Sequence, residues 1–353
     1  MAIYIIAAVL MFGILVAVHE FGHFITAKLF GVTVHEFSIG MGPLLWHRQG
    51  EETEYSLRLL PIGGFCAIEG EEEASDDPRS LSSQSFWRQV IVFAAGAAMN
   101  FLLGFLLICI IYSTAGGFYT AEISKLNEGF PTEQDVQVGD VIYAINGERI
   151  YTKSDVQLVM QFGRFDEDSA LHLTLLRDGE RIQRTLYPRE YTDENGESYR
   201  AYGFTYGGVA EATLRNKLKY SWYSTLDFVR MVRMSLQMLL RGDAGVQDLS
   251  GPVGIVSTIT EVGQQSQSVG SAISNIAYFA ALISVNLAVM NLLPIPALDG
   301  GKILFLCINT VLLKLFGKKM PQRLESAVTV AFFALLMGMM LVVTLSDIGK
   351  LIH

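Results

Sequence analysis

Residues 2–23 read AIYIIAAVLMFGILVAVHEFGH. No charge occurs from Ala2 to Val18, and the run then meets His19, Glu20 and His23. A helix needs roughly 20 mostly apolar residues to cross a hydrocarbon core of about 30 Å. The stretch therefore predicts a membrane span over residues 1–30 that carries three ionisable groups. It lacks a basic leading region and a small-residue cleavage site, which argues against a removable signal peptide. Three further stretches have the same character. Val90 to Ala121 and Val262 to Leu298 are uncharged, the latter strongly apolar from about Ala272, and Ser326 to Ser346 is bounded by Glu325 and Asp347.

The whole chain agrees with those four runs. Its 353 residues are 51% hydrophobic and 17% charged, where a globular average has about 25% charged. Mean hydropathy is +0.36. The fold class expected is a polytopic α-helical membrane protein with four transmembrane helices and a β-rich domain inserted between the second and third. The same numbers exclude a disordered chain, a coiled coil and a collagen-like repeat. The apolar runs make the bilayer an expected partner, and a net charge of -9 provides no basic surface, so nucleic acid is not one. Cys66, Cys109 and Cys307 form no disulfide framework.

Short loops set the orientation. Lys314, Lys318, Lys319 and Arg323 mark the connection before the last span as cytoplasmic. Four spans then put both termini and the large insert outside. The expected segments are helix 1 over 1–30, a cytoplasmic loop over 31–86, helix 2 over 87–116, the insert over 117–209, an amphipathic segment over 210–270, the helix 3 region over 271–316 and helix 4 over 325–348. The inner loop holds an acidic patch (Glu69, Glu71, Glu72, Glu73, Asp76, Asp77). In the insert, Val138 to Glu148 places a strand between two turn signals. Leu171, Leu173 and Leu175 alternate with other residues before Asp178-Gly179, a pair suited to a tight hairpin because both positions tolerate positive φ. The run VGDVIYAINGERI resembles the core of a PDZ domain, a fold that commonly captures peptide termini by adding a strand; a spacer domain without a ligand is the alternative. Leu214 to Leu240 has helical periodicity, basic and apolar residues mixed, and suits either a helix on the outer membrane face or one packing on the insert.

The chemistry lies in His19-Glu20-Phe21-Gly22-His23. On a helix, i and i+4 share a face, so both imidazoles can reach one metal ion. Glu20 lies beside that face, placed to act as general base on water. A charge at mid-bilayer costs roughly 2.5–3.5 kcal/mol on insertion scales, and ionisable groups there mark functional sites. Two histidines leave a catalytic zinc one protein ligand short. His35, His47, His172 and His353 lie outside the spans. Asp299 is the evident third ligand, in Asn291-Leu292-Leu293-Pro294-Ile295-Pro296-Ala297-Leu298-Asp299-Gly300-Gly301. Two prolines and two glycines would interrupt a helix there, and broken backbone at membrane depth is tolerated only where it is buried or lines a wet cavity.

With these residues in place, the sequence resembles the site-2 protease family of intramembrane zinc metalloproteases, and most closely its bacterial regulator of sigma-E protease branch. The resemblance rests on the His-Glu-x-x-His stretch, Gly96 to Asn100, the PDZ-like insert, Gly251-Pro252-Val253-Gly254-Ile255 and the Asn-x-x-Pro-x-Pro-x-x-Asp-Gly-Gly stretch. It implies a bacterial inner-membrane enzyme in which His19, His23 and Asp299 hold Zn2+ and Glu20 is the catalytic acid/base. It further implies that Asn286 and Asn291 contact the unwound substrate backbone or steady the scissile region. Glu54 to Phe65 would form a β-structured re-entrant loop that takes substrate as an added strand. Substrates implied are single-span membrane proteins trimmed outside, such as anti-sigma factors or signal-peptide remnants. The chain departs from its relatives in having room for one PDZ-like domain where several have two, and in Lys302, where they often have His. Two other readings fit the ionisable residues or the insert: a metal transporter and a non-catalytic PDZ adaptor.

Overall fold

In a computed structural model, residues 2–71, 73, 75–163, 170–192, 196–245 and 248–352 are described. Glu72 of the acidic patch and His353 lie outside them. The chain begins with α1 (Ala2–Leu29), a hairpin of β1 (Val34–Gln49) and β2 (Glu54–Ile68), and α2 (Phe86–Ser113). Short strands follow: β3 (Gly117–Tyr119), β4 (Ile123–Leu126), β5 (Val141–Ile145) and β6 (Glu148–Arg149). Then come α3 (Lys153–Phe162), β7 (Leu171–Arg177), β8 (Glu180–Leu186), β9 (Arg189–Thr192), β10 (Ser198–Ala201), β11 (Phe204–Tyr206) and β12 (Val209–Glu211). Helices α4 (Leu214–Arg241), α5 (Pro252–Gln265), α6 (Val269–Asn291), α7 (Asp299–Phe316) and α8 (Gln322–Ile352) complete it. Among the described residues, Ile3–Leu29, Phe86–Ser113, Val269–Asn291 and Gln322–Lys350 are long and apolar enough to cross a membrane. This is the polytopic helical class expected from the sequence, with a β-rich region.

Two compact units divide the chain: residues 1–107 with 241–353, and residues 108–240. In the first, Ala8, Met11 and Leu15 of α1 bury against Ile259 of α5 and Ala280 and Ile283 of α6. A second cluster joins Ala27, Val34, Cys66, Ile68, Val92 and Phe93, so the base of the β-hairpin shares a core with α1 and α2. Burial of the Val, Leu, Ile, Phe and Met side chains among them contributes roughly 1.5–3 kcal/mol each where water is the alternative. The uncharged stretch 262–298 is not one helix. Ser268 caps α6 by a capping box with Ser271, which separates it from α5, and α7 starts anew at Asp299. Buried Asp347 of α8 accepts from the backbone N–H of Gly251 (2.9 Å) and Gly254 (2.8 Å) at the start of α5. An anion there satisfies the orphan donors of a helix N-terminus.

The hairpin is longer than the strands expected at residues 54–65. Residues 34–39 face 64–68 on one side and 54–57 on the other, and 44–49 face 54–58 in turn. The chain can double back this way because Gly40 (φ 86°) and Gly63 (φ 89°) take the left-handed conformation. Residues 64–68 thus form an outer ply.

In the second unit, β6-β5-β7-β8 form an antiparallel sheet. Asn146 (φ 49°) and Gly147 (φ 84°) turn β5 into β6, and Asp178 (φ 51°) and Gly179 (φ 87°) turn β7 into β8. Both are the two-residue turns that positive φ at successive positions produces. Ile123, Ile142, Ile145, Val156, Leu171, Leu173, Leu175 and Leu186 fill the core. Helix α4 packs on this unit: Tyr220 stacks on Phe118 at 4.7 Å and Tyr223 on Tyr151 at 4.5 Å. Its Asp227 accepts from the hydroxyls of Thr152 (3.2 Å) and Ser154 (2.9 Å) at the start of α3.

Candidate metal centre

His19 and His23 lie one turn apart on α1, so both rings leave one face, their centroids 4.9 Å apart. His23 Nδ1 is 2.8 Å from the carbonyl oxygen of Val92 on α2. A carbonyl only accepts, so Nδ1 carries the proton and Nε2 keeps its lone pair. His19 Nδ1 is 3.4 Å from the side-chain nitrogen of Asn100, whose own Oδ1 is buried without a hydrogen-bond partner. Turning that amide end for end, which keeps its shape, lets the orphaned oxygen accept from His19 Nδ1–H. His19 Nε2 is then also left with its lone pair.

The third donor comes from the break after α6. Pro294 and Pro296 lack the N–H a continuing helix needs, and Leu298 N–H bonds to the Ile295 carbonyl at 2.9 Å instead. Gly300 packs on the carbonyls of Leu292 and Leu293, and Gly301 on that of Ile295, closer than a Cβ would permit. Asp299 therefore sits in the first turn of α7, where the helix dipole favours negative charge.

Asp299 Oδ2 is 3.0 Å from His19 Nε2 and 3.3 Å from His23 Nε2, and the two Nε2 atoms are 3.2 Å apart. All three residues are buried, and Asp299 Oδ2 accepts no hydrogen bond. With both ring protons on the far nitrogens, three lone pairs crowd one point, an arrangement that a cation relieves. Donors about 2.0–2.1 Å from a tetrahedral zinc lie about 3.3 Å from one another, so the set fits zinc and has the number of protein donors that catalytic sites usually have. Among the described residues, this is the group of His, Cys, Asp or Glu side chains able to hold a metal ion. Gly96 of α2 runs beneath the rings: a Cβ there would collide with His23 Nε2 and come within 2.7 Å of His19 Nε2.

Glu20 is half-buried next to His19 on the same helix. Strand β2 passes it, since a Cβ on Gly64 would stand 3.6 Å from Glu20 Cγ. Thus His19, His23 and Asp299 are brought together from positions up to 280 residues apart, with Glu20 next to His19 on α1. Asn286 is exposed on α6 and Asn291 closes that helix, half-buried. Neither takes part in the hydrogen bonds of the cluster. The remaining described histidines have partners elsewhere: His35 with Glu69 (2.6 Å), His47 with Glu54 (2.8 Å) and His172 with Thr185 (3.1 Å). Sequence reasoning noted Gly96 and Asn100 without a role. Their i, i+4 spacing, which puts both on one face of an apolar helix, was the available signal.

The profile described as Peptidase family M50 matches residues 7–339, which include all four site positions. A protein of Clostridium perfringens, provisionally named a zinc metalloprotease, is 36% identical over 347 residues and covers 98% of each chain. The regulator of sigma-W protease RasP of Bacillus subtilis is 27% identical over 431 aligned positions, 98% of each chain. The zinc metalloprotease RasP of Shouchella clausii is 29% identical over 430 positions, 98% of this chain and 99% of its own. Those alignments are longer than the present 353 residues, so both RasP proteins carry segments without a counterpart here.

Proposed function

This chain belongs to peptidase family M50 and is a zinc metalloprotease of a multi-pass bacterial membrane type, and from that premise we propose that it hydrolyses peptide bonds within or beside the transmembrane segment of single-span proteins already trimmed outside. The observation that carries the proposal is the convergence of His19 Nε2, His23 Nε2 and Asp299 Oδ2 at separations of 3.0–3.3 Å, with Glu20 and both histidines on a helix apolar enough to span a membrane.

In this reading His19, His23 and Asp299 hold the zinc. When bound, zinc supplies the Lewis acidity that polarises a scissile carbonyl and brings the pKa of a water to about 7. Glu20 takes a proton from the attacking water on a carboxylate oxygen and delivers it to the leaving amine nitrogen. Val92 and Asn100 fix the tautomers of the two histidines, and Asn286 and Asn291 hold the opened substrate backbone. A helix must be unwound before hydrolysis, because its carbonyls are occupied. The outer ply at residues 64–68, passing beside Glu20, supplies replacement hydrogen bonds by strand addition.

The β-rich residues 117–209 act as an extracytoplasmic PDZ-like domain between the second and third spans, with the Lys314–Arg323 connection and the hairpin on the cytoplasmic side. A cavity of about 330 Å³ lined by Phe118, Tyr119, Thr152, Lys153 and Tyr220 offers an ammonium and aromatic walls, which suit a new peptide terminus. Anti-sigma factors and signal-peptide remnants are the substrate types that match such a trimmed single span. The alternatives, a metal transporter and a PDZ adaptor, leave Glu20 without a purpose.

The test co-expresses wild type or Glu20→Gln with a panel of outside-trimmed single-span substrates and follows the membrane stubs by immunoblot. Shortening by wild type alone, stopped by a chelator, supports the proposal; equal shortening by both assigns the activity to another protease. A photo-crosslinker at Pro61, which is exposed, should trap the stub if the hairpin receives it.

A further inference from the structure

The two oxygens of Asp299 face different partners. Oδ2 faces the histidines, whereas Oδ1 lies 3.7 Å from Lys302 Nζ, one turn along α7. That ammonium is 2.7 Å from Glu71 Oε1, in the segment that follows β2, and it rests 5.8 Å from the centre of the Phe93 ring of α2. Lys302 therefore stands within hydrogen-bonding reach of Glu71 and outside that of Asp299. Its flexible four-carbon stem allows it to close the remaining distance, and an ammonium on Asp299 would compete with a metal ion for the carboxylate.

We propose that Glu71 is a positioning residue which, by holding Lys302, keeps the lysine off Asp299 and reserves that carboxylate for the metal. The inference rests on the reading of His19, His23 and Asp299 as zinc ligands. It makes the segment behind the hairpin a latch on the metal centre: with Glu71 in place the third ligand is free, and with Glu71 withdrawn Lys302 pairs with Asp299. It also gives a purpose to a lysine that the metal site does not itself require.

The test measures zinc affinity of the full-length, detergent-solubilised protein by chelator competition, without reference to cleavage. Outer-shell partners of metal ligands typically contribute 10–100-fold in affinity, so Glu71→Gln should loosen zinc by about tenfold or more. Removing the competitor should restore it: Glu71→Gln with Lys302→Met should return to within about threefold of wild type, and Lys302→Met alone should bind at least as tightly as wild type. Recovery in the double variant separates the latch from misfolding, which a second substitution would not repair. Unchanged affinity in Glu71→Gln, or a double variant as weak as Glu71→Gln, overturns the proposal. His23→Ala serves as the control for the premise. Zinc lost in His23→Ala but unaffected by Glu71→Gln removes the latch and leaves the metal centre standing; zinc kept in His23→Ala removes both.

Discussion

His23 Nδ1 lies 2.8 Å from the carbonyl oxygen of Val92, and that contact decides which ring nitrogen faces Asp299. The carbonyl has no proton to give, so the imidazole must donate through Nδ1 and present the lone pair of Nε2. The counterpart for His19 is Asn100, 1% exposed and anchored through its own carbonyl, which accepts from the Ser284 hydroxyl at 2.7 Å.

Asn100 can be tested by what each substitution leaves behind. Asn100→Ala removes the acceptor for His19 Nδ1–H and should weaken zinc about 10–100-fold. Asn100→Asp keeps an acceptor oxygen and should stay near wild type. Chelator competition on the purified chain reads both. If Asp is as damaging as Ala, it is the amide N–H and not the oxygen that matters, and the assigned tautomer is wrong.

Gly96 is a steric test of the same centre. A Cβ at this position would collide with His23 Nε2, so Gly96→Ala should displace the ring and abolish both zinc binding and cleavage. Gly338 of α8, where a Cβ meets nothing within 4 Å, is the matched control, and Gly338→Ala should leave both unchanged. Retained zinc in Gly96→Ala, measured by metal analysis after desalting, would show that α2 does not confine the histidines.

The β-rich unit should be acid-sensitive through Asp140. Burial alone would raise this carboxyl, but Arg177, bonded through Nε and Nη2 at 2.8 Å each, and the Gln137 N–H at 2.9 Å outweigh it and hold it below the usual range. A carboxylate with a depressed folded-state pKa contributes stability above its unfolded value of about 3.9, and that contribution is lost as pH falls through the lower folded value. Arg177→Ala strands a buried charge and should cost about 3–5 kcal/mol at neutral pH. Hydrogen exchange of β5 and β7 in the full chain measures this. Equal protection in variant and wild type at pH 7 would contradict the role given to the pair.

Much of this centre was legible because the bilayer makes polar residues conspicuous. His19, Glu20 and His23 stand out of an apolar helix, and the prolines and glycines around Asp299 announce broken backbone where unsatisfied groups are costly. Asp178-Gly179 fixed its hairpin for the local reason that few other pairs accept the turn. The long hairpin was less legible, since residues 34–49 do not alternate cleanly and their double pairing depends on two positive-φ glycines. The end of α5 and the whole of α6 fell within one uncharged run, 262–298, because hydropathy is blind to a capping box such as Ser268–Ser271. The partnerships of Asn100 with His19 and of Lys302 with Glu71 join residues 81 and 231 positions apart, and no local pattern reports such pairs.

The central claim is that two imidazoles and one carboxylate hold the catalytic zinc, and zinc-edge X-ray absorption of the purified full-length chain, with metal stoichiometry on the same samples, tests it most directly. The account predicts one zinc per chain with two imidazole nitrogens and oxygen at about 2.0–2.2 Å, no sulfur, and loss of the ion in His23→Ala and Asp299→Ala. A sulfur neighbour, or stoichiometric zinc persisting in both variants, would contradict it.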